Sequence, residues 1–248
     1  MKAVLRFLGL LLLATLALQL YFVARIAAMA VVNPESTAFQ RSEAWLIASQ
    51  KHDLAWRQQW VPYAQISDNL KRAVIASEDA TFIDHEGIDV EALEKAWDKN
   101  AKAEQRAAQL TSKIPSANPT KTAKPPKIIG GSTITQQLAK NLFLSGERTL
   151  LRKGQELMLT VMLETLLSKQ RILEIYLNSV EWGEGVFGAE AAAQHYYRKP
   201  ASKLSAFEAA RLAVMLPRPK YFETRPNSGY LNARASTITA RMGGVELP

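Results

Sequence analysis

The sequence predicts a mainly α-helical protein with one N-terminal membrane-spanning helix, and three observations lead there. The 248 residues contain several helix-start signals, each followed by apolar residues at three- and four-residue spacing. No stretch of more than a few residues alternates between apolar and polar side chains, as a half-buried strand does. One apolar segment near the N-terminus is long enough to cross a bilayer.

The composition of the chain excludes several classes of protein and of functional site. Hydrophobic residues make up 48% of the chain and charged residues 22%, which argues against wholesale disorder. The absence of cysteine excludes disulfides, thiolate metal sites and a cysteine nucleophile. The three histidines (52, 85 and 195) are far apart and form no HExxH pattern, so a zinc enzyme is not expected.

The net charge of +8 comes from two segments. Residues 1–32 carry three basic and no acidic side chains, and residues 99–127 carry seven basic side chains against one acidic. The remaining chain is close to neutral. Because a nucleic-acid-binding face is expected on a folded module, often with interleaved aromatics, nucleic acid is not predicted as a partner.

The N-terminal apolar segment predicts a retained membrane anchor. Residues 7–24 contain two polar side chains and are preceded by Lys2 and Arg6, so the N-terminus is expected in the cytoplasm. The sequence Ala28-Met29-Ala30 leaves a cleavable signal peptide as the alternative, but a signal h-region is usually only about 7–15 residues long. Both readings place the rest of the chain across the membrane.

The predicted helices share a capping side chain or a tight turn ahead of an apolar repeat. Proline at position 217 is expected to end the last of them. In chain order, they begin at Ser67, Asp89, Thr133 (with Gln136 as a capping box), Glu156, Ile172, Gly188 and Ser205 (with Glu208 as a second capping box).

Residues 110–127 interrupt this pattern with four prolines and no apolar periodicity. This composition predicts a loop. The loop joins the two segments that carry the most chemical side chains. It is therefore either an inert insertion or a flap that contacts a substrate.

Glu78 is predicted on the apolar face of its helix. It follows Val74 by four residues and Leu70 by eight, and a carboxylate there is costly unless it is paired or protonated. A helix-end acid satisfied by nearby N–H groups is one interpretation. The other is a carboxylate with a raised pKa, suited to general acid or base catalysis.

Glu156 is a second acid on a buried stripe, since Leu159 and Leu163 follow it at three and seven residues. Arg152 and Lys153 stand one turn earlier. The pattern fits a plain i, i+4 ion pair, or a cluster that binds phosphate directly or through a metal ion. The Gly-Gly-Ser-Thr turn before the helix at Thr133 is a further candidate anion site.

Glu78 and Glu156 lie in two of five segments that resemble, in order, the five motifs of the glycosyltransferase family 51 peptidoglycan transglycosylases. The first is Glu-Asp-x-x-Phe-x-x-His-x-Gly-x-Asp over residues 78–89. The others occupy residues 130–141, 152–164, 171–188 and 208–217. The resemblance extends over residues 61–220, and five motifs in order are highly specific.

The resemblance implies a lysozyme-like helical fold with a membrane-hugging part beside the cleft. It implies a cytoplasmic tip and anchor over residues 1–32, a linker and membrane-proximal segment over 33–60, and a glycosyltransferase domain over 61–248 in the bacterial inner membrane, facing the periplasm. The chain ends at Pro248 and contains no Ser-x-x-Lys, so a monofunctional enzyme without transpeptidase activity is expected.

The resemblance also implies roles for individual residues. Glu78 matches the base that deprotonates the acceptor 4-hydroxyl, and Glu156 matches the acid that helps bind pyrophosphate, commonly with Mg²⁺. No organic cofactor is expected. The implied substrate-binding side chains are Asp79, Phe82, Ser132, Thr133, Gln137, Lys140, Arg148, Arg152 and Lys153.

The implied reaction joins lipid II to a lipid-linked glycan chain, with cell-division and penicillin-binding proteins as partners. Two alternatives remain open. A lysozyme-like hydrolase or lytic transglycosylase shares the fold and a catalytic Glu, but has no pyrophosphate for the Arg and Lys residues to hold. A silent membrane-anchored division scaffold would not need both acids.

Overall fold

The computed structural model describes residues 1–51, 55–112, 131–144 and 149–248. Most of these residues are helical, which confirms the predicted fold class. The helices are α1 (Lys2–Ala28), α2 (Ala38–Lys51), α3 (Asp68–Glu78), α4 (Val90–Ser112), α5 (Ile134–Phe143), α6 (Leu150–Leu166), α7 (Lys169–Ser179), α8 (Ala189–Tyr197), α9 (Ala206–Met215), α10 (Pro219–Glu223) and α11 (Gly229–Arg241). Short 3-10 turns lie at Tyr63–Gln65, Ala201–Lys203 and Met242–Gly244.

A small sheet joins the start of the domain to its middle. Its strands are β1 (Arg57–Gln58), β2 (Glu181–Gly183) and β3 (Val186–Phe187), in the order β1-β3-β2. β1 runs parallel to β3, and β2 runs antiparallel to it. Strands of two or three residues are too short to produce an alternating pattern, which explains why the sequence did not predict them.

Two groups of helices form the core. α3 packs against α9 and α11, and α5 packs against α6 and α7. The largest fully buried side chains include Trp182 and Tyr176, and the Trp182 Nε1–H donates to the Leu212 carbonyl oxygen at 3.0 Å. α3 and α5 therefore each have one side in the core, and Glu78 lies at the end of the first.

The predicted helix starts at Ser67, Asp89, Thr133, Gly188 and Ser205 are confirmed. The other two helices begin earlier than predicted, α6 at Leu150 instead of Glu156 and α7 at Lys169 instead of Ile172, after the caps Thr149 and Ser168. The hydroxyl of Ser67 accepts from the Asn69 N–H, and Asp89 accepts from the Ala92 N–H at 2.7 Å. Both capping boxes form, at Thr133 with Gln136 and at Ser205 with Glu208. These local bonds satisfy N–H groups that a helix leaves unpaired at its first turn.

Further helices differ from the sequence prediction, among them α2, which occupies part of the predicted linker. α4 extends to Ser112, so residues 110–112 are helical and not part of the predicted loop, because the first proline comes only at position 115 and the preceding residues favour helix. The rest of that loop, residues 113–127, lies outside the described residues. α11 occupies the C-terminal segment, for which no helix was predicted.

α1 is long and apolar enough to cross a membrane, and its first 24 residues expose their apolar side chains except for a few that are partly covered. Its end packs on the domain: Ile26 and Met29 are buried, and the Arg171 Nε–H donates to the Met29 carbonyl oxygen at 2.7 Å. The Arg25 guanidinium lies 5.5 Å from the centre of the Phe143 ring at the end of α5. Within the alternative cleavage sequence, Met29 thus packs against the domain, whereas Ala28 and Ala30 are exposed.

The loop between α3 and α4 turns at Gly87, whose φ is +80°. A Cβ there would lie 2.7 Å from Thr160 Cγ2 and 2.8 Å from Glu164 Cγ. We expect Gly87→Ala to lower the free energy of unfolding by about 2–4 kcal/mol through backbone strain and overpacking. Thermal and urea unfolding of the two proteins measure this.

Gly154→Ala is the matched control for this substitution. Gly154 lies in α6 with open space at its Cβ position, so alanine should leave stability unchanged or raise it by up to about 1 kcal/mol. Equal effects of the two substitutions would contradict the strain assigned to Gly87.

Candidate active site

Two cavities meet on the surface of the helical domain, and Ser132 lines both. The Glu156 cavity has a volume of about 410 Å³ and the Glu78 cavity about 380 Å³. The first is lined by Phe39, Ser42, Glu43, Ser132, Gln136, Gln137, Lys140, Asn141, Leu144, Arg152, Lys153 and Glu156. The second is lined by residues 77–81, Asp89, Glu91, Ala92, Lys95, Ala96, Lys99 and residues 131–133.

Glu78 is the last residue of α3 and is held by a neutral side chain. The Gln137 amide N–H donates to Glu78 Oε2 at 3.0 Å, and the Tyr176 hydroxyl donates to Gln137 Oε1 at 2.9 Å. Burial raises the pKa of Glu78, the Gln137 hydrogen bond lowers it, and the neighbouring Asp79 carboxylate raises it further. The net shift is upward, which suits a carboxylate that accepts a proton.

Asp79 ties three elements together. Its Oδ1 lies 2.9 Å from His85 Nε2, and its Oδ2 accepts from the Ile134 N–H at 3.0 Å, at the start of α5. The Gly87 N–H donates to His85 Nδ1, which leaves the Nε2–H of the same ring to donate to Asp79. Asp79 therefore fixes α5, and with it Gln137, relative to Glu78.

A second hydrogen-bond network connects the loop between α3 and α4 to α6 and α7. Lys169 Nζ donates to the His85 carbonyl oxygen at 2.5 Å and to Glu164 at 2.9 Å. Its ammonium group also lies 4.6 Å from the centre of the Phe82 ring. Thr135 of α5 donates to the same Glu164 oxygen at 2.6 Å. The loop after Glu78 is thus held rigidly.

Glu156 is buried and forms ion pairs with two basic side chains. Arg152 Nη1 donates to its Oε2 at 2.8 Å, and Lys153 Nζ donates to its Oε1. Lys153 remains 43% exposed at the side chain, whereas Glu156 is 4% exposed. The cluster therefore presents positive charge to the cavity while its carboxylate stays covered.

Two places offer carboxylates to a metal ion. Asp79, His85 and Asp89 lie within 4.8 Å of one another, but both His85 nitrogens are engaged, and Asp89 accepts from Thr81 and from the Ala92 N–H. Glu156 offers one carboxylate in the other cavity, where its two oxygens accept from Arg152 and Lys153. Mg²⁺ is commonly held by one or two carboxylates plus substrate phosphates.

Comparison with known proteins places this site in a family. Residues 46–243 match the transglycosylase family model. The chain is 57% identical over 235 residues to a biosynthetic peptidoglycan transglycosylase of Burkholderia thailandensis, covering 95% of this chain and 84% of that protein. Relatives of the same name from Burkholderia lata and Burkholderia vietnamiensis are 54% and 53% identical, each covering 95% of this chain and 87% of theirs.

The chain belongs to the transglycosylase family. This confirms the predicted family and, with it, the lysozyme-like fold. Among the sites predicted for such an enzyme, Glu78 and Gln137 are hydrogen-bonded to each other, and Glu156 is joined to Arg152 and Lys153.

Five further predicted site residues of this transglycosylase differ from one another in exposure and in whether they line a cavity. Ser132 and Lys140 are exposed and line the cavities, whereas Thr133 is buried as the cap of α5 but still borders the Glu78 cavity. Phe82 is fully buried and lines neither cavity, so we assign it to the core beneath the loop and not to substrate contact. Arg148 lies outside the described residues.

The sequence did not point to several residues of the transglycosylase site. Phe39, Ser42 and Glu43 of α2 line the Glu156 cavity, although their segment was predicted as a linker. Glu43 is held there by Lys220 of α10. These residues reach the cavity because α2 packs against α5, and a contact between helices so far apart in sequence has no local sequence pattern.

Proposed function

We propose that this peptidoglycan glycosyltransferase of cell-wall biosynthesis polymerises lipid II into β-1,4-linked glycan strands, with inversion at the anomeric carbon. One observation carries the proposal. A proton-accepting carboxylate and a cation-bearing carboxylate occupy adjoining cavities that meet at Ser132. Joining a sugar hydroxyl to a sugar diphosphate requires a base at the hydroxyl and positive charge at the leaving group.

Glu78 acts on the acceptor in this proposal. Its carboxylate takes the proton of the acceptor 4-hydroxyl while that oxygen attacks the donor anomeric carbon. The new carbon–oxygen bond forms as the bond to the diphosphate breaks, and both electrons of that bond leave with undecaprenyl pyrophosphate. The raised pKa of Glu78 makes it a stronger base than an exposed glutamate.

The Glu156 cavity binds the donor diphosphate. Arg152, Lys153 and Lys140 supply charge there, and preorganised charge is often the largest catalytic contribution. Glu156 holds Arg152 and Lys153 in place before the substrate arrives. Mg²⁺, where bound by Glu156 together with the diphosphate, supplies further neutralisation of the leaving group.

The anchor fits a substrate that is itself in the membrane. Lys2 and Arg6, in the first turns of α1, favour a cytoplasmic N-terminus, and the domain is accordingly proposed to lie on the periplasmic side of the inner membrane. Confinement to the bilayer raises the effective concentration of both lipid-linked substrates. Cell-division and penicillin-binding proteins remain predicted partners.

Loss of the Gln137 amide should change the pH dependence of the reaction. Its hydrogen bond lowers the pKa of Glu78, so Gln137→Ala raises that pKa further. Because the base works ionised, the acid limb of the rate profile should move to higher pH. Initial rates of polymerisation, measured from about pH 5 to about pH 9, test this shift.

Gln59→Ala, an exposed amide on another part of the domain, is the control and should leave the pH profile unmoved. A profile for Gln137→Ala that coincides with the parent profile would contradict the coupling.

The proposed function is tested by incubating the detergent-solubilised full chain with labelled lipid II and Mg²⁺ and separating products on a gel. A ladder of glycan strands, insensitive to penicillin, is the expected result. Cleavage of preformed glycan without polymerisation would indicate the hydrolase instead. Absence of both activities would leave the silent scaffold.

A further inference from the structure

A third cavity, of about 400 Å³, lies beside β1 and the end of α8, and the proposed reaction does not use it. Its polar and aromatic lining includes no carboxylate among the described residues and contains Trp56, Arg57, Gln58, Gln194 and His195. We infer that this Trp56 cavity binds sugars of the growing glycan strand and retains the strand between successive transfers. The inference rests on the proposed function and gives it a second binding site.

The lining of the Trp56 cavity suits a chain of N-acetylated sugars. Sugars present C–H faces that pack on aromatic rings, and hydroxyl and acetamido groups that hydrogen-bond to amides. Phe187 covers one face of the Trp56 ring, with 4.5 Å between ring centres, which leaves the other face to the cavity. The Gln194 amide donates to Glu190 at 2.9 Å and keeps its carbonyl oxygen for a ligand, and Gln58 adds a second amide.

Arg57 is oriented by a chain of hydrogen bonds. Its Nη1 donates to His195 Nδ1 at 2.8 Å, so the Nε2–H of the same ring donates to Glu223 Oε1 at 3.1 Å. Glu223 is itself held, because its Oε2 accepts from the Glu184 N–H at 2.9 Å. The guanidinium group therefore keeps further N–H donors for a ligand, in an orientation that is set before the ligand arrives.

Aromatic packing places the Trp56 cavity next to the Glu156 cavity. The Phe187 ring that stacks on Trp56 also meets the Phe39 ring edge-on, with 6.3 Å between ring centres. Phe39 lines the Glu156 cavity, and Phe187 is fully buried between the two other rings. Two short ring-to-ring contacts therefore separate the cavities, a distance that a few linked sugars span.

The charges of the Glu156 cavity direct the donor sugars towards the same side. The basic side chains that line it come from α5 and α6, and α2 contributes an aromatic ring, a hydroxyl and a carboxylate: Lys140, Arg152 and Lys153 against Phe39, Ser42 and Glu43. The diphosphate is attracted to the α5 and α6 side. The donor sugars attached to it then face α2, and the strand continues past Phe39 towards Trp56.

Binding of a soluble glycan tests the Trp56 cavity without the transfer reaction. The probe is fluorescently labelled chitohexaose, which carries N-acetylated β-1,4-linked sugars and no diphosphate, added to the full chain in non-ionic detergent. We expect Trp56→Ala to weaken its binding about tenfold or more, because the aromatic face is lost, and Trp56→Phe to weaken it less. Arg57→Gln, which leaves the ring packing intact, should also weaken it.

Trp45→Ala is the matched control. Trp45 is a tryptophan of α2 that is 77% exposed and lines none of the three cavities, so its replacement should leave the affinity for chitohexaose at the parent value. Thermal unfolding of each variant shows whether the domain is folded.

The length of the strands made from labelled lipid II is the second measurement. Trp56→Ala should release shorter strands than the parent, because a strand that is not retained leaves after fewer transfers. Parent-like affinity in both Trp56→Ala and Arg57→Gln, parent-like strand length in a folded Trp56→Ala protein, or a parent that does not bind chitohexaose overturns the inference. A parent that binds chitohexaose but forms no strand refutes the proposed function instead.

Discussion

Glu78→Gln is expected to abolish glycan polymerisation while the domain stays folded. The amide keeps the shape of the side chain and can still bond to Gln137, but it cannot take a proton from the acceptor hydroxyl. Loss of a general base costs about 10²–10⁴-fold in rate. Initial rates with saturating lipid II, together with thermal unfolding, measure both halves of the prediction.

Glu86→Gln provides the matched control, because Glu86 is exposed and lies in the same loop. It should polymerise at the parent rate. Parent-like polymerisation by Glu78→Gln would remove the base from the mechanism, whereas an unfolded Glu78→Gln protein would show that the carboxylate serves stability.

Glu156→Gln is expected to remove most activity by a different route. The substitution leaves Arg152 and Lys153 without the carboxylate that positions them, and it removes a ligand for Mg²⁺. We expect a loss of about 10²-fold or more, of the size found when charge stabilisation of a leaving group is removed. Mg²⁺ titrations of the parent and the variant should then differ, with a weaker dependence in the variant.

Glu164→Gln is the control for Glu156→Gln, because it also removes a carboxylate from α6. Glu164 pairs with Lys169 and Thr135 and lines neither cavity, so its replacement should lower stability and leave the Mg²⁺ dependence intact. Full turnover by Glu156→Gln would contradict the role of Glu156 in binding the leaving group.

Local patterns predicted those parts of the site that depend on neighbouring residues. These parts are the caps at Ser67 and Thr133 and the spacing of Glu156 from its cations. Each involves residues that are no more than one or two helical turns apart in sequence. Such features follow from helix geometry, and the structure contains all of them.

Features that depend on distant residues could not be predicted in this way. Tyr176 meets Gln137 across 39 residues, and α2 closes the Glu156 cavity only through its packing against α5. Phe82 illustrates the reverse error. A motif marks it with the site residues, but burial and Lys169 above its ring place it in the core.

The most direct test of the central claim, sugar transfer and not hydrolysis, is the balance of products from lipid II. For each undecaprenyl pyrophosphate released, transfer should form one β-1,4 bond and no new free reducing end. This balance should vanish with Glu78→Gln. A free reducing end for every diphosphate released would mean that water is the acceptor, and would contradict the assignment of Glu78 as the base for a sugar hydroxyl.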